Sequence, residues 1–200
     1  MVIKIELYGG IDLRVIAGKF RSRPLLAPAG VDTRPTADRL RETLFNVLTQ
    51  GAVNRVEGTR FLDLYAGSGA VGIEALSRGA SQVIFVEQAA AALAVLQKNV
   101  ANLKITAGVS VAKRSVARFL KESATGSFGL IFLDPPYDAA PEYAATLGAL
   151  GEAGSPLLDT DGLVIAEHRR KQPLEERYGA LVRSRVLEQG DAALSLYMRE

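Results

Sequence analysis

Two short stretches of this chain carry residues that could do chemistry, and each begins where an apolar run stops. In one, Leu130-Ile131-Phe132-Leu133 ends at Asp134-Pro135-Pro136-Tyr137. Asp134 offers a hydrogen-bond acceptor, Pro135 a backbone carbonyl with no competing N–H, and Tyr137 a flat face for stacking. Successive prolines cannot continue a ladder, so they fix a rigid loop just past a strand. Together these groups suit a planar base bearing an exocyclic amino group. In the other stretch, Phe61-Leu62-Asp63-Leu64-Tyr65 runs into Ala66-Gly67-Ser68-Gly69-Ala70-Val71-Gly72. Gly67, Gly69 and Gly72 satisfy G-x-G-x-x-G, and Glu87 closes the next apolar run, where an acid that binds ribose would sit. The loop alone is compatible with a dinucleotide, with S-adenosylmethionine, or with a plain tight turn. Asp63 at its mouth opposes a pyrophosphate and suits a cationic ligand, and S-adenosylmethionine carries an ammonium and a sulfonium but no phosphate. The Asp134 stretch tips the reading toward that ligand.

Positioning these groups requires a particular set of elements. An apolar run, a glycine turn and the helical spacing of Val71 to Leu76 read as strand, loop and helix, with the free N–H groups of the helix start facing the ligand. Val83 to Val86 reads as a second strand, Ala89 to Leu103 as a helix, and Val109 to Ala112 as a third strand followed by Arg114-Ser115-Val116. Leu130 to Leu133 and Gly162 to Glu167 supply two more strands, with a helix over Ala144 to Leu150 between them. Runs around Leu181-Val182 and Ala193 to Met198, separated by Gly190-Asp191, read as an antiparallel hairpin. Alternating strands and helices predict an α/β fold whose ligands bind beyond the carboxyl ends of the strands. Upstream, Leu13 to Gly18 and Lys19 to Leu25 read as a small hairpin with one basic face. Thr36 is the expected N-cap of a helix running to about Thr49, leaving Arg34, Arg39 and Arg41 available to phosphates. Asn99 and Asn102 are expected in or near the last turns of the Ala89 to Leu103 helix, as surface or C-terminal residues. His168, the sole histidine, is expected to be structural rather than a general base, and Glu167 receives no role.

At this point the chain resembles a known family. Asp134-Pro135-Pro136-Tyr137 is similar to the D/N-P-P-Y/F motif of amino-methyltransferases. Thr33 to Asn46, Asp63 to Gly72, and Glu74-Ala75-Leu76-Ser77-Arg78-Gly79-Ala80 resemble the RsmD family, from about Leu13 to the C-terminus. The resemblance implies a Rossmann-like class I S-adenosylmethionine-dependent methyltransferase sheet, mostly parallel with one antiparallel strand in a C-terminal hairpin, and a small basic N-terminal β-hairpin extension. The implied division is an extra segment 1–12, a basic hairpin 13–32 and a methyltransferase domain 33–200. The implied reaction is methylation of N2 of one guanine, number 966, in 16S ribosomal RNA. Asp134, Pro135, Pro136 and Tyr137 would be catalytic. Asp63, Tyr65, Ala66, Gly67, Ser68, Gly69, Glu87, Ser115 and Val116 would bind S-adenosyl-L-methionine. Ser115 departs from the Asp or Asn that related enzymes place near the adenine amino group, and a backbone group of Val116 could serve instead. Arg14, Lys19, Arg21, Arg23, Arg34, Thr36 and Arg39 would meet RNA, and no metal is implied.

Composition agrees with such a partner. Net charge is only +2, yet Arg14 to Arg41 holds seven basic residues against two acids. A basic segment on a near-neutral chain is the footprint of a phosphate-backbone partner. No cysteine is present, so disulfides and thiolate metal sites are excluded. No run of about 18 apolar residues and no leader pattern occur, so a monomer in the cytoplasm, away from membranes, is expected, acting on 16S RNA within a 30S particle or an assembly intermediate. Competing readings are a DNA adenine-N6 methyltransferase, a glutamine-N5 protein methyltransferase, a nicotinamide oxidoreductase and a non-catalytic RNA-binding module.

Overall fold

The computed structural model describes residues 13–28, 35–50, 53–122, 126–136 and 140–200, without the side chains of 35–37. The apolar runs form one sheet. β1 (Arg60–Leu64), β2 (Gln82–Glu87), β3 (Val109–Lys113), β4 (Phe128–Leu133) and β5 (Leu158–Arg169) lie side by side in the order β3-β2-β1-β4-β5, all parallel. β6 (Arg177–Tyr178), β7 (Leu181–Gln189) and β8 (Ala192–Arg199) complete it, with β8 antiparallel to both β5 and β7. The fold class is therefore as expected, with the two-residue β6 as an addition.

Strand residues alternate between two buried layers, which is why the runs are apolar throughout rather than every second residue. Phe61, Phe85, Leu130, Phe132 and Ile165 pack against α1 (Pro35–Thr49), α2 (Ala70–Ser77) and α3 (Ala90–Asn102). Leu62, Leu64, Ile131, Leu133 and Val164 pack against α4 (Val116–Glu122) and α5 (Ala140–Leu150). Strand order reverses at β1, so its end and that of β4 flank the crevice where such sheets bind ligands.

The N-terminal segment is a narrow hairpin. Val15 N–H donates to the Arg23 carbonyl (3.0 Å) and Leu25 N–H to the Leu13 carbonyl (2.7 Å). It lies against α2 and α3, held by three buried polar side chains. Glu74, with no exposed surface, accepts from the N–H groups of Ile16 (2.7 Å) and Ala17 (3.0 Å) and from Arg78 Nε (2.6 Å). Ser77 Oγ accepts from Phe20 N–H at 2.9 Å and donates to the Ala17 carbonyl. Asn99 Oδ1 accepts from Leu26 N–H at 2.7 Å, while its Nδ2 donates to the carbonyls of Leu26 (3.0 Å) and Ser68 (2.9 Å).

Three expectations are corrected here. Asn99 is buried, not at the surface, because it supplies the donors and the acceptor that a chain segment laid over α3 lacks. Thr36 does not cap α1, since the helix begins at Pro35. Proline suits the first helical position, where its missing N–H is not needed. Arg41 is not available to phosphates: it is buried, donating to the Arg14 carbonyl (2.6 Å) and pairing with Asp38 (3.2 Å).

Candidate active site

The glycine loop crosses from β1 into α2 with three residues in the left-handed region: Tyr65 (φ 60°), Gly67 (φ 54°) and Gly69 (φ 79°). A non-glycine residue held there stores about 1–3 kcal/mol. The Tyr65 ring is anchored from its far end, its hydroxyl lying 2.9 Å from Thr146 Oγ1 on α5. The three glycines have different reasons. A Cβ on Gly69 would lie 2.2 Å from Leu96 Cδ1, and one on Gly72 would lie 2.4 Å from Phe85 Cε1, so both serve close packing of helix on sheet. A Cβ on Gly67 would meet nothing nearer than 3.9 Å. Gly67 is thus the position where the backbone is open to a ligand. Ala66 N–H is tied to the Val86 carbonyl (3.0 Å) and the Ser68 carbonyl to Asn99, which fix the loop between them.

Two acids flank this loop in different ways. Glu87, half-buried at the end of β2, accepts from Gly67 N–H (2.9 Å), Gln88 N–H (2.8 Å) and Ala89 N–H (2.7 Å). A carboxylate has about four acceptor sites, so one remains beside Gly67 for a hydroxyl donor such as a ribose. Asp63 sits beneath the loop, 2% exposed, with Oδ2 accepting from Gly72 N–H at 2.9 Å. Burial, against the Gly72 bond and with help from Glu87, pushes its pKa up to about 8. Asp63 therefore shapes the loop from below. The donor set and the open Gly67 fit the sugar and amino-acid ends of S-adenosylmethionine and provide no cation for a pyrophosphate.

Asp134 follows directly on β4. Leu64 pairs with Leu133, and Leu133 with Ala166, so Asp134 comes level with Glu167 on β5. Burial pushes the Asp134 carboxyl well above the ordinary carboxylate range, and the charges of Glu167 and Asp63 push the same way. Such a carboxyl is a stronger base than an exposed one and is suited to receiving a proton. Pro135 is buried and Pro136 exposed, so the turn is seated on one side and open on the other. Tyr137 and Arg34 lie outside the described residues, as does the side chain of Thr36.

Ser115 caps α4, its Oγ accepting from Arg118 N–H at 3.3 Å, and Val116 is buried at the helix start. Arg14, Lys19, Arg21, Arg23 and Arg39 are all exposed, the first four on the hairpin and the last on α1. His168 is buried, with Nε2 2.9 Å from Ser195 Oγ and Nδ1 3.0 Å from the Arg169 carbonyl, and burial lowers its pKa. It is structural, as expected. The sequence did not mark Glu74, Arg41 and Asn99 as the residues that tie hairpin, α1 and glycine loop together. Glu74 alone left a signal, as an acid inside the apolar helix Ala70–Ser77.

The family described as conserved hypothetical protein 95 matches residues 13–198. Ribosomal RNA small subunit methyltransferase D of Escherichia coli (strain K12) is 34% identical over 194 residues, 96% of this chain and 92% of that one. The chain belongs to this family, the RsmD family. An RsmD relative from Bacillus subtilis (strain 168), provisionally named an rRNA methyltransferase, is 38% identical over 94% of this chain and 99% of its own. A solved Escherichia coli structure, provisionally described as a methyltransferase, superposes with a TM-score of 0.79 at 31% identity, covering 95% of this chain and 99% of that one. The sheet, with its parallel strands and C-terminal hairpin, is that of a methyltransferase.

Proposed function

We propose that this RsmD-family protein transfers a methyl group from S-adenosylmethionine to the N2 amine of a guanine in 16S ribosomal RNA. The observation that carries the reading is the Asp134-Pro135-Pro136 turn beside an open glycine loop at the point where strand order reverses. When bound, S-adenosylmethionine supplies a methyl group activated by a sulfonium. The N2 lone pair of guanine is delocalised into the ring, so the protein's task is orientation and exclusion of water. Asp134 and the Pro135 carbonyl accept the amine hydrogens, and the raised basicity of Asp134 suits it to take the proton that nitrogen sheds as it gains the methyl. Tyr137 stacks on the base, which has to leave any duplex to be reached.

Gly67 gives the cofactor a backbone to lie on, Tyr65, Ala66, Ser68 and Gly69 hold that backbone in shape, and Glu87 takes the ribose hydroxyls. Asp63 acts through the loop it supports. Ser115 and Val116 border the adenine. Arg14, Lys19, Arg21, Arg23 and Arg39, with Arg34 and Thr36, meet RNA phosphates. The substrate is the guanine numbered 966 in a 30S particle or assembly intermediate, and the enzyme acts as a monomer in the cytoplasm.

The test is transfer of labelled methyl from S-adenosylmethionine to unmethylated 30S particles, naked 16S RNA and DNA, followed by nucleoside analysis. Label recovered as N2-methylguanosine from one ribosomal substrate is expected. Label in DNA adenine, or cofactor binding with no transfer to any of the three, overturns the assignment.

A further inference from the structure

A second recess opens on the same edge of the sheet, on the α5 side. It has a volume of about 350 Å³ and is lined by Tyr143, Ala144, His168, Gln172, Pro173 and Tyr178, with Arg169 and Glu175 also at its wall. Its place follows from the register: Asp134 is level with Glu167, and His168, the next residue along β5, turns to the opposite, α5 face of the sheet, where the recess lies. Ala140 and Tyr143, from the first turn of α5, lie just beyond the catalytic turn in the chain and form the near wall.

The polar atoms of its floor are already engaged. The Tyr143 hydroxyl donates to the Glu167 carbonyl (2.7 Å), the Tyr178 hydroxyl accepts from Glu175 N–H (3.2 Å), and both His168 nitrogens are bonded within the protein. What the wall offers is the half-exposed Tyr178 ring and Pro173, with Tyr143 and His168 buried behind them, while the rim offers the Gln172 amide. Outside it, Arg170 and Lys171 are exposed. A ring and a proline beside the basic run Arg169-Arg170-Lys171, of which Arg169 lines the recess together with Glu175, suit an unpaired nucleotide, and the volume falls at the small end of the roughly 300–1,000 Å³ of ligand pockets. A duplex does not fit.

We infer that this recess holds one unpaired nucleotide adjacent to the target guanine, gripping the strand on the side of the catalytic turn away from the N-terminal hairpin. The inference rests on the RNA-methylation reading above. Drawing a guanine out of its stack strips its neighbour of a partner, and the recess supplies a replacement. The strand is then held at two points on either side of the reacting base.

Ala144 is exposed on α5 while lining the recess, so Ala144→Trp fills it without touching the core. With the ribosomal substrate that the unaltered enzyme methylates, A144W is expected to raise KM about tenfold, with cofactor affinity by calorimetry unchanged. Gln172→Ala is expected to raise KM less. A photo-crosslinking benzoylphenylalanine at position 144, irradiated on unmethylated 30S particles, is expected to label a nucleotide within two positions of the methylated guanine. An unchanged KM for A144W, or crosslinks confined to distant RNA or absent, overturns the inference. If the unaltered enzyme methylates no ribosomal substrate, the failure belongs to the functional reading instead.

Discussion

The ends of β1 and β4 and the end of β2 all carry a carboxyl at the same edge of one sheet, yet the three are held differently. Asp63 is buried and Asp134 half-buried, and burial pushes both upward in pKa, with Glu87 adding to the effect on Asp63 and Glu167 and Asp63 adding to that on Asp134. Glu87 stands one strand away at the rim, clothed by three backbone N–H groups. Residue type and strand position are nearly the same. Solvent and donors make the difference: burial raises the affinity of the pair for protons, and the three N–H groups leave the other acid one free acceptor site.

Replacing Asp134 tests this contrast most severely. Asp134→Ala is expected to lower kcat at least about a hundredfold, the lower end for a positioned acid–base group, while cofactor affinity stays within about threefold. A tenfold loss of cofactor binding in isothermal titration would move Asp134 into the cofactor site and merge the two regions. Next in size, Glu87→Ala is expected to weaken cofactor binding by about 1–3 kcal/mol with kcat at saturation little changed. Unchanged affinity in the same titration refutes the rim assignment.

A pH profile sharpens the comparison further. The acceptor form of Asp134 is the deprotonated one, and its pKa is raised, so kcat/KM is expected to climb with pH above the ordinary carboxylate range. A profile flat from pH 5 upward breaks the claim. The smallest effect belongs to Asp63→Asn, which keeps the acceptor for Gly72; cofactor affinity is expected to stay within about threefold. Because the folded pKa of about 8 lies above the unfolded value near 3.8, the protonated carboxyl stabilises the fold fully below pH 3.8, and that contribution is lost as pH rises to 8. The stability advantage of the natural chain over the Asn variant should therefore shrink between pH 4 and pH 8 in urea unfolding, and a growing advantage contradicts it.

Much of this was legible in the residues. Runs such as Phe61 to Leu64 and Leu130 to Leu133 are apolar on both sides, which a parallel strand between two helix layers demands, and the glycine spacing places a loop after the first of them. The ends of elements were less legible. α5 begins at Ala140 rather than Ala144 and β5 at Leu158 rather than Gly162, because neither start has an apolar period to mark it. Least legible were the buried polar residues. Asn99 has the surroundings of a surface helix residue in sequence, and only the hairpin lying across α3 turns it inward. Asn99→Leu, similar in size but without the amide, is expected to lower Tm by about 3–8 °C, as read by calorimetry, since three backbone groups lose their partner. Residues 1–12, Arg34 and Tyr137 lie outside the described residues.

The hairpin is gripped by its main chain. Glu74, Ser77, Asn99 and Arg41 bond to N–H and carbonyl groups of Arg14, Ile16, Ala17, Phe20 and Leu26. Docking at these points asks nothing of the side chains pointing outward. Lys19 and Arg21 can be exchanged without touching these bonds, whereas the Arg23 guanidinium also donates to the Asn102 carbonyl, so the basic surface proposed to meet RNA can be retuned at the first two positions while the body of the fold stays fixed.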